Sequence, residues 1–194
     1  MTNVLVTGGN GQLASCIKDV EKQHNDLNVI YTDYLELDIC DLNQVRAFFK
    51  SKEQIDYCIN CAAYTAVDNA ESEVDKAFEI NAIGAKNLAV ACKEYGVVLI
   101  YVSTDFVFDG ITGNYAEDAT RNPINHYGKT KLDAEKWVEE YLSHWSIVRT
   151  VLVYGMPMTG RSNLLSIVQE KLKGGESYQV VDDQVRTPTF VEDL

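Results

Sequence analysis

The chain has 194 residues, 46% hydrophobic and 24% charged, the mixture of a folded globular protein with enough length for a sizeable core. Seventeen Lys and Arg against 29 Asp and Glu leave a formal charge of −12, which argues against nucleic acid or an anionic membrane as partner. No apolar run reaches the ~18 residues of a membrane span, and the first residues lack a basic, cleavable leader, so the expected location is the cytoplasm.

Short β-branched runs alternate with helical stretches. Asn3 to Thr7 predicts a strand, Gly11 to about Gln23 a helix, Asn28 to Thr32 a strand, and Leu42 to Lys52 a helix capped by Asp41. Ile55 to Cys61 follows as a strand, about Glu73 to Tyr95 as one long helix, and Val97 to Ser103 as a strand. His126 to Leu142 then predicts a helix and Ser146 to Val151 a fifth strand. Apolar strands such as Val97-Val-Leu-Ile-Tyr-Val102 need cover on both faces, which predicts an α/β fold with a doubly wound parallel sheet. After Tyr154-Gly155 come a loop through Met156-Pro-Met-Thr-Gly160, a helix near Asn163 to Lys173 and a short strand Tyr178 to Val181. The expected division is a nucleotide-binding domain over 1–154 and a partial substrate lobe over 155–194.

Five cysteines, an odd number, fit reduced thiols better than a disulfide framework. Cys58-Ile-Asn-Cys61 has redox or zinc spacing, but on a strand residues i and i+3 point to opposite faces, so it reads as core packing and no metal is expected.

Directly after the first strand stands Thr7-Gly-Gly-Asn-Gly-Gln-Leu-Ala14, opening a helix. Glycines there let the backbone approach a pyrophosphate lying on the helix N-terminus, which makes Gly8, Gly11, Gln12 and Leu13 candidate contacts for a dinucleotide in a Rossmann-type fold. Asp33, 25 residues past Gly8 at the end of the second strand, is placed to accept from the adenosine ribose. It favours NADH over NADPH, whose 2′-phosphate it would repel. Asp38 and Ile39 are candidates for the adenine, with a helix-entry aspartate as the plainer reading of Asp38. The small residues of Asn60-Cys-Ala-Ala63 would let a cofactor lie close over the sheet edge.

Tyr127-Gly-Lys-Thr-Lys131 is the most informative stretch. At i and i+4 of a helix, Tyr127 and Lys131 share a face, and an ammonium beside a phenol lowers a pKa of ~10 toward neutrality, giving a proton donor. Ser103-Thr104 closes the preceding strand, where a hydroxyl could hold the same substrate oxygen.

Together, Thr7 to Gly11, Asn60 to Ala63, Ser103-Thr-Asp-Phe-Val-Phe108 and Tyr127 to Lys131 resemble the extended short-chain dehydrogenases/reductases. Ala62-Ala-Tyr-Thr-Ala-Val-Asp-Asn-Ala-Glu71, Ser103 to Gly110, Tyr127 to Leu132 and Asp183-Gln184 look most like the dTDP-4-dehydrorhamnose reductases within them. The resemblance implies NAD(P)H-dependent reduction of the 4-keto group of a nucleotide-linked 4-keto-6-deoxy sugar, with Thr104, Tyr127 and Lys131 as the catalytic trio. It further implies Ala62, Ala63 and Tyr64 along the cofactor, and Thr65, Val67, Asp105, Asn163 and Arg186 around the nucleotide sugar. Asn81 matches a position that supports the active-site network in related enzymes, against a plain solvent-facing helix residue. Ala14 stands where the family usually has a third Gly, and Leu152 where the rhamnose enzymes commonly carry Trp. Arg186 fits a diphosphate contact, or a loop residue paired with Asp182 or Asp183.

A 4,6-dehydratase is disfavoured because Asp105 is followed by Phe106 rather than Glu. Two alternatives stay open: a nucleotide-sugar 4-epimerase, and a non-catalytic NAD(P)-binding regulatory subunit like that of methionine adenosyltransferase. A monomer and a homodimer are equally compatible with the sequence.

Overall fold

Five parallel strands carry the molecule: β1 (Thr2–Thr7), β2 (Leu27–Thr32), β3 (Tyr57–Asn60), β4 (Val98–Thr104) and β5 (Trp145–Thr150), in the order β2-β1-β3-β4-β5. The structure is a computed structural model that describes residues 1–52, 54–155 and 163–194. From β1 the chain first winds outward to β2 and then crosses back to β3, so the direction of winding reverses between β1 and β3. Ligands of open α/β sheets bind at the carboxyl edge over such a reversal.

Helix α1 (Gln12–Val20) covers one face, where Ala14 and Ile17 pack on Val4, Val6 and Tyr31. Fully buried Ala14 gives the close packing expected of a small residue at that position. The other face lies under α2 (Leu42–Ser51), α5 (Gly84–Tyr95) and α6 (His126–Tyr141), which with the strands bury Leu5, Val45, Phe49, Leu88, Leu99, Tyr101 and Val138. Each such apolar side chain contributes about 1.5–3 kcal/mol, so this second face carries most of the stability. Asp41 caps α2 as expected, accepting from the N–H groups of Asn43 (2.8 Å) and Gln44 (3.2 Å).

Three expectations need correction. The segment Glu73 to Tyr95 is not one regular helix: α3 (Val67–Ala70) and α4 (Val74–Phe78) lead into a π-helical stretch, Glu79–Ile83, before α5. The extra residue per turn rolls Asn81 into the interior, where it is 1% exposed rather than solvent-facing. Strand β4 is fully covered on one face only: Leu99, Tyr101 and Ser103 are buried while Val98, Ile100 and Val102 alternate as half-buried. Tyr178 to Val181 forms no strand, because no described segment offers it a ladder and its side chains stand exposed.

After the short strand β6 (Val153–Tyr154) the loop Met156 to Gly160 lies outside the described residues. Helix α7 (Leu164–Lys173) follows, then β7 (Thr189–Phe190), which pairs with β6 in parallel. Among the described residues no helix is long and apolar enough to cross a membrane and no cluster has the makings of a metal site.

Candidate active site

The glycine turn is built into the reversal point. Gly8 holds φ +68°, and a Cβ there would stand 2.7 Å from the Ala62 backbone, so only glycine lets the turn seat against the end of β3. Asn60 Oδ1 accepts from Thr7 Oγ1 (2.8 Å) and from the Ala62 N–H (3.1 Å), fastening the two strand ends together. On the other flank, the Asn10 N–H donates to Asp33 Oδ2 at 2.9 Å, while Asp33 Oδ1 accepts from the Tyr34 N–H at 2.8 Å. Asp33 is thereby held beside the turn at the end of β2.

Helix α1 starts at Gln12 behind Gly11 with no capping side chain and no acid in its first turn. The Gln12 side-chain nitrogen is buried without a hydrogen-bond partner. An uncapped helix start, an orphaned amide donor and a cradle that a Cβ would fill suit a pyrophosphate. The flanking candidates divide. Asp38 Oδ1 accepts from the Cys40 N–H (2.9 Å), shaping the loop while Asp41 does the capping. Ile39, 6% exposed, packs in the main core against Gly84, so its side chain is committed to the fold. Ala63 and Tyr64 are half-buried, and the Tyr64 hydroxyl donates to the Glu73 carboxylate.

At the end of β4, the Thr104 hydroxyl donates to Asp105 Oδ1 (3.0 Å) and accepts from the Phe106 N–H (3.2 Å) in the 3₁₀ turn Asp105–Val107. Helix α6 begins against this turn, capped by Asn125 Oδ1, which accepts from the Gly128 N–H at 2.7 Å. The close approach sets Tyr127 beside Thr104, with Phe106 edge-on at 5.7 Å. One turn on, Lys131 is 2% exposed and donates to the Val102 carbonyl at 2.7 Å, its ammonium 4.2 Å from the Tyr101 ring centre.

The electrostatics reverse one expectation. Burial pushes the Tyr127 phenol up to about 12, with the neighbouring Thr104 hydroxyl opposing and the Asp105 charge adding to it. The Lys131 amine is pushed down to about 7, again chiefly by burial, against the opposing influence of Glu135 and Cys61. Desolvation dominates both shifts, so Lys131 does not bring the phenol toward neutrality here. Tyr127 is therefore fully protonated at neutral pH.

Asn81 joins the two halves of the site: its amide pairs with both the N–H (2.8 Å) and the carbonyl (3.1 Å) of Tyr64 and donates to Thr130 Oγ1 (3.0 Å) on α6. Val67 packs with Ala70, Ala77 and Tyr127, whereas Thr65 is exposed on the adjoining loop. The Arg186 guanidinium lies 4.9 Å from the Phe106 ring and binds Gln184 Oε1 (2.8 Å) rather than Asp182 or Asp183, which brings it to the edge of the site. Asn163 caps α7, accepting from the Ser166 N–H (3.0 Å) and donating to the Gly155 carbonyl (2.7 Å), so its amide is occupied. Leu152 is half-buried at φ +38°, a backbone state uncommon for any residue other than glycine.

Sequence reasoning missed the group behind Thr104. Ser103 is turned away from the substrate edge and donates to Glu135 Oε1 at 2.5 Å. Glu135, 0% exposed, also accepts from Arg149 Nε (2.9 Å) and Nη2 (2.8 Å) and from Arg121 Nη1 (2.9 Å). Its position four residues past Lys131, on the stripe that begins at Tyr127, together with an arginine inside β5, was the available signal.

A parallel sheet with a glycine turn at its reversal point and a buried Thr-Tyr-Lys group at its carboxyl edge defines an extended short-chain dehydrogenase/reductase. All 194 residues match the family model described as RmlD substrate binding domain, and the chain belongs to that family. It is 37% identical over 195 residues to the spore coat polysaccharide biosynthesis protein SpsK of Bacillus subtilis, covering 100% of this chain and 67% of SpsK. The crystal structure of dTDP-4-dehydrorhamnose reductase from Bacillus anthracis in complex with NADP superposes with a TM-score of 0.91 at 38% identity, covering 100% of this chain and 68% of that one. Methionine adenosyltransferase 2 subunit beta of Xenopus tropicalis is 32% identical over 199 residues, covering 98% of this chain and 59% of that protein. The chain thus spans about three fifths to two thirds of the length of these relatives.

Proposed function

We propose that the protein reduces the 4-keto group of a nucleotide-linked 4-keto-6-deoxy sugar with NAD(P)H, as a dTDP-4-dehydrorhamnose reductase in dTDP-L-rhamnose synthesis in the cytoplasm. The observation that carries this reading is the gathering of Thr104, Tyr127 and Lys131 at the carboxyl end of β4, on the same edge of the parallel sheet as the cradle at Gly8. Likeness to the Bacillus anthracis reductase supports it. Residues 1–154 serve the cofactor and 155–194 begin the sugar lobe.

Gly8, Gly11, Gln12 and Leu13 hold the pyrophosphate and Asp33 the adenosine ribose, with a lean toward NADH. Asp38, the Ile39 backbone, Ala62, Ala63 and Tyr64 line the rest of the dinucleotide. The cofactor supplies a hydride when bound. Thr104 donates to the ketone oxygen and orients it, and Tyr127, kept protonated by burial, transfers its Oη proton to that oxygen as charge develops there. Lys131 binds the nicotinamide ribose and faces Tyr127 from one turn away. Thr65, Val67 and Asp105 border the sugar, and Arg186 meets the diphosphate in an otherwise acidic chain. Asn163 reaches the substrate only if it leaves its cap.

Likeness to methionine adenosyltransferase 2 subunit beta favours a second reading, a cofactor-binding regulatory subunit in which the same residues do no chemistry. A panel of nucleotide-linked keto-sugars, assayed by cofactor oxidation with the intact protein, separates the readings. Stoichiometric NAD(P)H oxidation with dTDP-4-keto-6-deoxy-L-mannose is the expected result. Cofactor binding without turnover on any sugar would support the regulatory subunit, and sugar conversion without net oxidation a 4-epimerase.

A further inference from the structure

We propose that Glu135 is a positioning residue for the reaction, holding Lys131 and the Thr104 end of β4 in fixed relation through an ionic clamp with Arg121, Arg149 and Ser103. The proposal rests on the reading of Thr104, Tyr127 and Lys131 as the catalytic group.

A fully buried carboxylate is costly unless it is paired and hydrogen-bonded, and the same burial makes each of its contacts directional and stiff. Glu135 meets four donors, drawn from β4 (Ser103), from β5 (Arg149, twice) and from the segment before α6 (Arg121). Arg121 is itself anchored by Glu139 (2.8 Å), and Arg149 by the Glu117 carbonyl (2.8 Å). Lys131 binds the carbonyl of Val102 and Glu135 binds the side chain of Ser103, so two successive turns of α6 grip two successive residues of β4, immediately before Thr104. The stripe Tyr127, Lys131, Glu135 therefore has a reacting end and an anchoring end.

Within the clamp the Glu135 carboxylate supplies the negative charge that offsets the burial of Lys131, whose other neighbours are the Cys61 thiol at the end of β3 and the Tyr101 ring on β4. Removing the charge leaves two arginines beside the lysine and makes its protonated form harder to keep.

The test compares Glu135→Gln and Ser103→Ala with wild type in the intact protein, reading kcat and KM for the keto-sugar. It also follows the pH midpoint of Lys131 from its ¹³Cε resonance, identified by its loss in Lys131→Met. For Glu135→Gln the expected result is a kcat lower by roughly tenfold to a hundredfold, the scale set by displacing a reacting group by up to an ångström, with KM nearly unchanged. Its Lys131 midpoint should fall by about one pH unit. Ser103→Ala, which removes one hydrogen bond and no charge, should lower kcat severalfold without moving the midpoint. A folded Glu135→Gln protein with wild-type kcat and midpoint would overturn the proposal. If that variant does not fold, wild-type kcat in Ser103→Ala overturns it. If wild type itself turns over no sugar, the catalytic reading has failed, and an unchanged Lys131 midpoint in Glu135→Gln then refutes the clamp on its own.

Discussion

Gly128 passes the carbonyl oxygen of Phe106 so closely that a Cβ at position 128 would stand 2.1 Å from it. This contact lets Tyr127 reach Thr104, because the first turn of α6 can lean on the 3₁₀ turn only where no side chain intervenes. Gly128→Ala must push the two apart, at a cost of about 1–3 kcal/mol for overpacking. Thermal denaturation should show that loss, and turnover should fall by more than the unfolded fraction explains. Wild-type kcat in the alanine variant would show that the Thr104 and Tyr127 pairing tolerates separation.

Gly8 meets β3 in a similar way but with a strained backbone angle added. Gly8→Ala should weaken NAD(P)H binding roughly tenfold or more, as expected for ~1–3 kcal/mol of strain and clash at the cradle. Quenching of protein fluorescence on cofactor titration measures this directly. Gly96→Ala is the control: its φ is +70° as well, yet a Cβ there meets nothing, and α5 ends far from the cradle. It should lose stability and keep the wild-type cofactor affinity.

Asn81→Ala leaves the Tyr64 N–H and carbonyl without their partner inside the protein, while the Thr130 hydroxyl loses a donor but still donates to the Tyr127 carbonyl (2.7 Å). Each unsatisfied buried group costs about 1–3 kcal/mol, so the variant should be among the least stable single substitutions near the site. Chemical denaturation with an unchanged m-value is the expected signature. A loss below the error of that measurement would mean that water replaces the amide.

Stability and pH are linked through Lys131. Its amine titrates near 7 in the folded chain and near ~10.4 unfolded, so between those values the unfolded state binds more protons and stability rises with pH. Tyr127 works in the opposite sense at higher pH: its phenol, raised to about 12, adds stability that is present below ~10 and lost as pH climbs toward 12. Cys40 and Cys61 are also pushed up to about 12 by burial and pull stability down over part of the same alkaline range. The wild-type curve minus that of Lys131→Met removes those shared contributions. That difference should climb from pH 7 to 10, and a flat difference would contradict the burial of a neutral amine.

Much of the fold was legible because its signals are local. The strand and helix sequence from Asn3 to Val151, the Asp41 cap and the glycine turn depend on residues close in sequence, and each appears within a few residues of its expected place. What escaped depends on residues far apart. The π stretch at Glu79–Ile83 turns Asn81 toward Tyr64 and Thr130, which are distant in sequence, and the clamp at Glu135 needs β4, β5 and α6 assembled before its four donors converge. The pairing of Tyr127 with Lys131 was visible as spacing, but its electrostatics were not, since burial outweighs proximity there. Tyr178 to Val181 has the β-branched pattern of a strand without a described neighbour to pair with.

In the proposed reaction Tyr127 gives its proton to the reduced carbonyl oxygen. Tyr127→Phe keeps the ring, its edge contact with Phe106 and the helix, and removes only the hydroxyl. Its single-turnover rate with dTDP-4-keto-6-deoxy-L-mannose and NAD(P)H in the intact protein isolates that proton transfer. The rate should fall by roughly 10²–10⁴, the usual contribution of a general acid, while cofactor affinity stays within about threefold of wild type. An undiminished rate in Tyr127→Phe would contradict the assignment.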